Sequence, residues 1–147
     1  MSAPPIQALL FVCNMNAIRS PMAQGLMQRR FAGRYWVQSC GIRPARAVDG
    51  LAVEVMDELG VDIARHRPQG FDDLEDSSFD LIITLAPEAH HRALEFTRTL
   101  AIEVEYWPCL DPTVIEGSRE QILAEYRAVR DGLDRRIASR FERPLSA

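Results

Sequence analysis

Lysine is absent from this chain of 147 residues, and all 17 of its basic residues are arginine. That absence excludes the lysine of Walker A phosphate loops, Schiff-base lysines and any lysine that acts as a general base. Negative charge is in slight excess, with a formal net charge of -4. A mildly acidic chain has no general affinity for nucleic acid, so we expect no nucleic-acid partner.

Cysteine is also scarce. The three cysteines are too few, and odd in number, for a disulfide framework, and they fit a reducing compartment, so we expect a cytoplasmic protein. The longest apolar run, from Ala8 to Cys13, is far shorter than the roughly 20 residues that a membrane span needs. No basic segment followed by an apolar one opens the chain, so we expect neither a secretory leader nor a membrane partner.

Histidine offers no convincing set of metal ligands. His90 and His91 are adjacent on a predicted helix and point in different directions, and His66 stands apart from them in the sequence. We therefore expect no metal and no other cofactor.

Apolar runs and helix signals alternate along the chain. The length suits a single domain over residues 1–147, with an ordered core at about 6–142 after a short tail, Met1 to Pro5. Alternation of strands with helices predicts an α/β fold, with a parallel sheet that has helices on both faces and binds ligands at the carboxyl ends of its strands. The predicted strands are Gln7–Cys13, Tyr35–Ser39, Phe79–Leu85 and Ile102–Trp107.

Helix-capping residues mark where the helices begin. Ser20 followed by Pro21 predicts an N-cap and a first helical residue, and Asp49 predicts a second N-cap. Pro87 opens a third helix, and Ser118 with Gln121 forms the capping box of a long fourth one that reaches Phe141. The segment from Asp62 to Ser78 is predicted to be a loop.

The segment between the first strand and the first helix carries the chemistry, and it reads C-x5-R-S-P. A tight turn beside a helix N-terminus directs its backbone N–H groups inward and forms an anion site. We therefore expect Cys13 to lie at the base of a cradle and Arg19 to clamp two oxygens of a tetrahedral oxyanion. The expected substrate-binding residues of this cradle are Asn14, Met15, Asn16, Ala17, Ile18 and Ser20.

Cys13 is the candidate nucleophile. Only a thiolate attacks, and the helix N-terminus, the loop amides and Arg19 all favour the charged form of this sulfur. A hydrogen bond from the Ser20 hydroxyl to the sulfur would favour it further. The alternative is that Cys13 is a small buried residue at the end of an apolar strand.

Displacement of a phosphate ester by a thiolate also needs a proton donor for the leaving oxygen. Asp111 follows the fourth predicted strand and so lies at the same edge of the sheet as Cys13. Pro112 stiffens its loop. The alternative is an ordinary Asp-Pro turn without a catalytic role.

The segment from Cys13 to Ala23 resembles the signature loop of the low-molecular-weight protein tyrosine phosphatases, and Ser39-Cys40-Gly41, Asp80–Thr84 and Asp111-Pro112 resemble other segments of that family. The resemblance implies a single-domain, three-layer fold with a four-stranded parallel sheet of order 2-1-3-4. It implies metal-free hydrolysis of phosphomonoesters through a cysteinyl-phosphate, with Asp111 as acid and then base. It also implies a left-handed backbone at Asn16, which asparagine tolerates.

Among the departures from that pattern, two bear most on activity. Met15 stands where the family usually has glycine, so it is expected to narrow the mouth or distort the cradle. Thr113 stands where many members have an aromatic wall residue, which weakens the case for phosphotyrosine as the substrate. A non-catalytic module that binds oxyanions therefore stays open as an alternative.

The arsenate reductases of the same fold are the other alternative, and Gly117–Asp131 looks more like their C-terminal half. Their thioredoxin-coupled members pass oxidation along two further cysteines, but Leu85–Arg98 contains none here, which leaves an external thiol as the donor. Cys109 is expected to be a packing residue, or a resolving thiol as an alternative, and Cys40 a packing residue. The expected partner is a phosphorylated protein, a small phosphomonoester or arsenate. The sequence predicts no particular oligomeric state.

Overall fold

The structure, a computed structural model, describes residues 5–75 and 78–142. Most of the predicted N-terminal tail, two residues of the predicted 62–78 loop and the last five residues of the expected domain lie outside the described residues. The strands are β1 (Ala8–Cys13), β2 (Trp36–Gly41), β3 (Leu81–Thr84) and β4 (Glu103–Tyr106). The helices are α1 (Arg19–Arg30), α2 (Gly50–Asp57), α3 (Pro87–Phe96) and α4 (Arg119–Phe141), and short 3-10 turns span Phe71–Asp73 and Pro112–Val114.

The four strands form one parallel sheet in the order β2-β1-β3-β4, which confirms the expected α/β fold and strand order. β1 is central, and all six of its residues are buried, as expected of a continuous apolar strand between two layers of helices. Leu9, Phe11 and Cys13 pack in the core under α1, α2 and α4. Ala8, Leu10 and Val12 pack in the second core with α3. Strand alternation therefore turns Cys13 toward the face that carries α1.

The structure confirms three of the four predicted helix starts and corrects the other, and α3 begins at Pro87 as expected. Asp49 caps α2 by accepting hydrogen bonds from the N–H groups of Leu51 and Ala52, and Ser118 and Gln121 form the capping box of α4. The prediction that Ser20 caps α1 is wrong. The helix begins at Arg19 after an N-cap at Ile18 that has no side-chain cap, and Pro21 is its third residue. The Ser20 hydroxyl faces Cys13 and Asn16 instead.

Several strand ends also differ from the prediction, and β1 begins at Ala8, one residue later than expected. β2 begins one residue later than expected and continues through Gly41, because its end bridges to Gly70 and pairs with the end of β1. β3 and β4 are shorter at both ends than their apolar runs. The extension of β2 matters for function because it places Gly41 directly against the loop that follows β1.

Arginine side chains secure α4 across the α1 and α2 face. Arg127 and Arg130 both donate to the Glu58 carboxylate, which lowers the pKa of that carboxyl to about 2. Arg130 is buried and also donates to the Val55 carbonyl at 2.7 Å. None of the helices within the described residues is long and apolar enough to cross a membrane.

Candidate active site

The loop between β1 and α1 has its carbonyl groups turned outward. The carbonyls of Cys13, Asn14, Met15 and Ala17 accept hydrogen bonds from N–H groups in residues 42–49, at 2.8 to 3.3 Å. The carbonyl of Asn16 lies 3.2 Å from His66 Nε2. Because the N–H and C=O of a trans peptide point in opposite directions, these bonds turn the loop amides toward the inside. The Asn16 amide already donates to Cys13 Sγ at 3.2 Å.

The side chain of Asn16 connects this loop to three other segments through hydrogen bonds. The residue is fully buried and has a left-handed φ of 53°, the only positive φ among the non-glycine residues that the structure describes. Its Nδ2 donates to Ser20 Oγ at 2.8 Å and to Ser39 Oγ at 3.0 Å. Its Oδ1 accepts from the Gln69 N–H at 2.9 Å and lies 3.0 Å from His66 Nε2. The side chain therefore joins the loop to α1, to β2 and to the segment after α2.

His66 acts as a neutral donor in this network. Its Nε2 contacts two oxygens of Asn16, so Nε2 carries the hydrogen. Burial lowers the pKa of His66, although the bond to the Asn16 carbonyl opposes that shift. Its role, and that of Gln69, could not be found from spacing, because about fifty residues separate them from the loop.

Gly41 makes the close approach of β2 to the loop possible. A Cβ at this position would lie 2.7 Å from the Asn16 nitrogen and 2.8 Å from the Asn14 oxygen, both of them main-chain atoms. Any side chain would push the loop away from the sheet. The Ser-Cys-Gly sequence at the end of β2 therefore has a structural reason: Ser39 binds Asn16, and Gly41 leaves room for it.

Cys13 lies at the floor of the cradle, where β1 ends and α1 is about to begin. Its sulfur is 2.9 Å from Ser20 Oγ, the contact that the sequence suggested, and it accepts from the Asn16 amide. The Ser20 hydroxyl donates to this sulfur when the sulfur is ionised, because a thiolate can only accept. The N-terminus of α1, with no side chain capping it, contributes positive partial charge to the same place.

Arg19 and Asp111 both reach the pocket above Cys13. Arg19 is buried, and its Nη1 donates to the Cys109 carbonyl at 2.9 Å, which leaves the other guanidinium N–H groups available to an oxyanion. The pocket has a volume of about 170 Å³. Its walls are Cys13, Asn14, Met15, Ala17, Ile18, Arg19, Arg43, Asp111 and Thr113. The fold thus brings together three residues from two distant segments that the sequence singled out for catalysis.

The wall of this pocket is polar in part and contains no aromatic side chain among the described residues. Arg43 is a member that sequence reasoning missed; it lies on the exposed segment after β2 and makes an exposed ion pair with Glu88. Met15 lines the mouth and is 54% exposed. Its φ is not left-handed, so methionine strains no backbone there, and the expected distortion of the cradle is not seen. Its side chain remains at the mouth.

The two other cysteines are poorly suited to thiol exchange. Cys40 is fully buried, and burial raises its pKa far above the ordinary value. Burial also raises the pKa of Cys109 to about 11, although Arg19 opposes that shift. Cys109 lines a neighbouring cavity of about 270 Å³ beside α4. Burial and a raised pKa favour a packing role for each of these cysteines over a role as a resolving thiol. Within residues 5–75 and 78–142, no three metal-ligating side chains come together.

Comparison with known proteins agrees with this geometry. The sequence profile of the low molecular weight phosphotyrosine protein phosphatase family matches residues 8–143. The chain belongs to this family. An arsenate reductase of Halalkalibacterium halodurans is 31% identical over 131 residues, which cover 89% of this chain and 92% of that relative. The relatives of this chain therefore include a protein named for arsenate reduction as well as the phosphatases that give the family its name.

Solved structures of this family give the same picture. An arsenate reductase in the phosphate binding state superposes with a TM-score of 0.75 at 27% identity, covering 91% of this chain and 95% of that one. The tyrosine phosphatase amsI of Erwinia amylovora has a TM-score of 0.74 at 19% identity, covering 92% and 91%, and so shows the fold alone. The low molecular weight phosphatase fold is shared by both activities.

Proposed function

We propose that this chain is a cysteine-dependent phosphatase that hydrolyses phosphomonoesters through a cysteinyl-phosphate intermediate. The observation that supports this most is the placement of Cys13, Arg19 and Asp111 around one pocket, at the inner face of a loop whose carbonyls point away. A substrate phosphate would be held by the loop amides of residues 14–20 and by the Arg19 guanidinium.

The reaction has two steps. In the first, the Cys13 sulfur attacks phosphorus while Asp111 gives its proton to the leaving oxygen, so that an S–P bond forms as the P–O bond breaks. In the second, Asp111 takes a proton from water, the resulting hydroxyl attacks phosphorus, and the electron pair of the S–P bond returns to sulfur. Arg19 and the amides hold the equatorial oxygens in both steps. The substrate is a small phosphomonoester or a phosphorylated protein, and phosphotyrosine is one candidate.

The test uses 4-nitrophenyl phosphate and phenyl phosphate with wild type, Cys13→Ser and Asp111→Asn. Cys13→Ser is expected to abolish turnover while phosphate binding survives. Asp111→Asn is expected to lose more activity on phenyl phosphate, because the poorer leaving group depends more on the acid. Cys109→Ser is the matched control, since that thiol lies outside the pocket wall. If Cys13→Ser turned over substrate as fast as the wild type, the proposal would be refuted. If the wild-type protein bound phosphate but hydrolysed neither substrate, the result would point to the non-catalytic module.

Arsenate reduction is the second candidate, and the 31% identical arsenate reductase is the observation that favours it. Arsenate would bind in the same cradle, and the Cys13 sulfur would form an S–As bond as one As–O bond breaks and its oxygen leaves as water. An external thiol would then attack the Cys13 sulfur, forming a mixed disulfide and releasing arsenite, and a second thiol would restore Cys13. The external donor is needed because the segment from Leu85 to Arg98 holds no cysteine and Cys40 is fully buried.

An assay with arsenate and glutathione separates the two candidates. Arsenite formed above the level without enzyme, and lost in Cys13→Ser, would support reduction. Hydrolysis of aryl phosphate without arsenite would leave only the phosphatase.

A further inference from the structure

Thr113 makes two hydrogen bonds to one oxygen of Asp111. Its backbone N–H donates to Asp111 Oδ1 at 2.9 Å, and its hydroxyl donates to the same oxygen at 2.7 Å. Both residues line the pocket above Cys13. The buried ring of Pro112 lies between them, in a 3-10 turn that begins directly after Asp111, so the short distance between the two side chains is built into the backbone.

The two bonds make the oxygens of Asp111 unequal. Oδ1 already accepts two hydrogens, and a proton placed on it would meet both donors. The proton that Asp111 gives and takes therefore belongs on Oδ2.

Other charged and titratable groups face Asp111 from the surrounding elements. Arg19, Arg43 and Cys13 share its pocket. Asp111 also interacts electrostatically with Cys109 on its own segment and with Tyr126 on α4. The structure describes no other side chain that donates a hydrogen bond to Asp111.

We infer that Thr113 is a positioning residue for catalysis, whose hydroxyl holds Asp111 Oδ1 so that Oδ2 carries the transferable proton. The inference rests on the proposed function for its catalytic consequence. Donation from Oδ2–H to the leaving oxygen requires the protonated acid, and the later abstraction of a proton from water requires the carboxylate. Thr113 keeps Oδ1 occupied in both states, so Oδ2 is the oxygen that gives and takes the proton.

The decisive variant is Thr113→Val, which removes the hydroxyl and keeps the backbone donor and the shape of the side chain. Thr113→Ser keeps the hydroxyl. Thr97→Val is the matched control, since the Thr97 hydroxyl bonds only to carbonyls at the end of α3. Two readouts are compared: the separate effects on kcat and KM for phenyl phosphate, and the ratio of kcat/KM for 4-nitrophenyl phosphate to that for phenyl phosphate, which rises when proton donation to the leaving oxygen is impaired.

In Thr113→Val, kcat for phenyl phosphate is expected to fall about tenfold with little change in KM, and the ratio to rise, because the acid is no longer held in place when its proton is transferred. Thr113→Ser is expected to rescue most of this loss, and Thr97→Val to keep the wild-type ratio. An unchanged kcat and ratio in Thr113→Val, or an equal loss in Thr113→Ser, would overturn the inference. If the wild type hydrolyses no aryl phosphate, the proposed function fails and the inference fails with it; if the wild type is active and Thr113→Val matches it, only the inference fails.

Discussion

Replacing Asn16 by alanine removes the side chain that joins the cradle to the rest of the fold. Its Nδ2 bonds to Ser20 and Ser39 are lost, and so are the Oδ1 bonds to the Gln69 amide and to His66. The Gln69 amide and the His66 Nε2 are then left without this partner. The alanine must also adopt a φ of 53°.

The expected loss of unfolding free energy follows from these contacts. Four hydrogen bonds at about 1 kcal/mol each contribute about 4 kcal/mol, and the left-handed backbone adds about 1 kcal/mol for alanine. A loss of about 5 kcal/mol is comparable with the whole stability of many domains, so Asn16→Ala is expected to fold marginally. Asn16→Gly removes the same hydrogen bonds but tolerates the backbone, so its loss should be about 1 kcal/mol smaller.

The assay is urea unfolding followed by circular dichroism, together with phosphate affinity for each variant that folds. Asn14→Ala is the matched control for stability, because the Asn14 side-chain oxygen is buried and has no hydrogen-bond partner among the described residues. The loss of unfolding free energy in Asn14→Ala is expected to be much smaller than the loss in Asn16→Ala. The reasoning fails if the two alanine variants are equally stable, or if Asn16→Gly is less stable than Asn16→Ala.

Further predictions concern Arg19, Gly41, His66 and Met15. In Arg19→Lys, the ammonium cannot reproduce the two-pronged contact of the guanidinium with the oxyanion. The value of kcat/KM for aryl phosphate should therefore fall about 10²- to 10³-fold, while the melting temperature stays unchanged. Gly41→Ala places a Cβ 2.7 Å from the Asn16 nitrogen and should cost about 1–3 kcal/mol in urea unfolding. Burial lowers the pKa of His66, so stability should be highest above pH about 6.5 and fall below it, a slope absent from His66→Gln. Met15→Gly should lower KM for bulky aryl phosphates with little change in kcat, and an unchanged KM would contradict a narrowed mouth.

The main elements of the fold and the centre of the site follow from local signals. The apolar run that became β1 is buried on both faces, and the caps at Asp49 and Ser118 are where the sequence placed them. The cradle was predictable because its chemistry lies within one short segment, from Cys13 to Ser20. For Asp111, the sequence predicted only that the residue lies at the edge of the sheet where the strands end. Its distance from Cys13 depends on the strand order, which brings separate segments together at that edge.

The Ser20 cap failed for a physical reason. A serine before a proline is a strong local helix start, but the hydroxyl gains more here from the Cys13 sulfur and from Asn16 Nδ2. Contacts with Cys13 and Asn16, rather than the local capping preference, therefore determine where the Ser20 hydroxyl points. The same holds for the end of β2, which extends to Gly41 because Gly41 pairs with the end of β1 and bridges to Gly70.

The amino-acid sequence by itself determined the sheet, its helices, the cradle and the absence of lysine chemistry, because periodicity, caps and residue type act over a few neighbouring positions. Only the tertiary structure decided that His66 and Gln69 hold Asn16, that Arg19 is anchored on the Cys109 carbonyl, and that Thr113 binds one oxygen of Asp111. These contacts depend on where chain segments meet in space and on which lone pairs are left free there, and no local pattern encodes either.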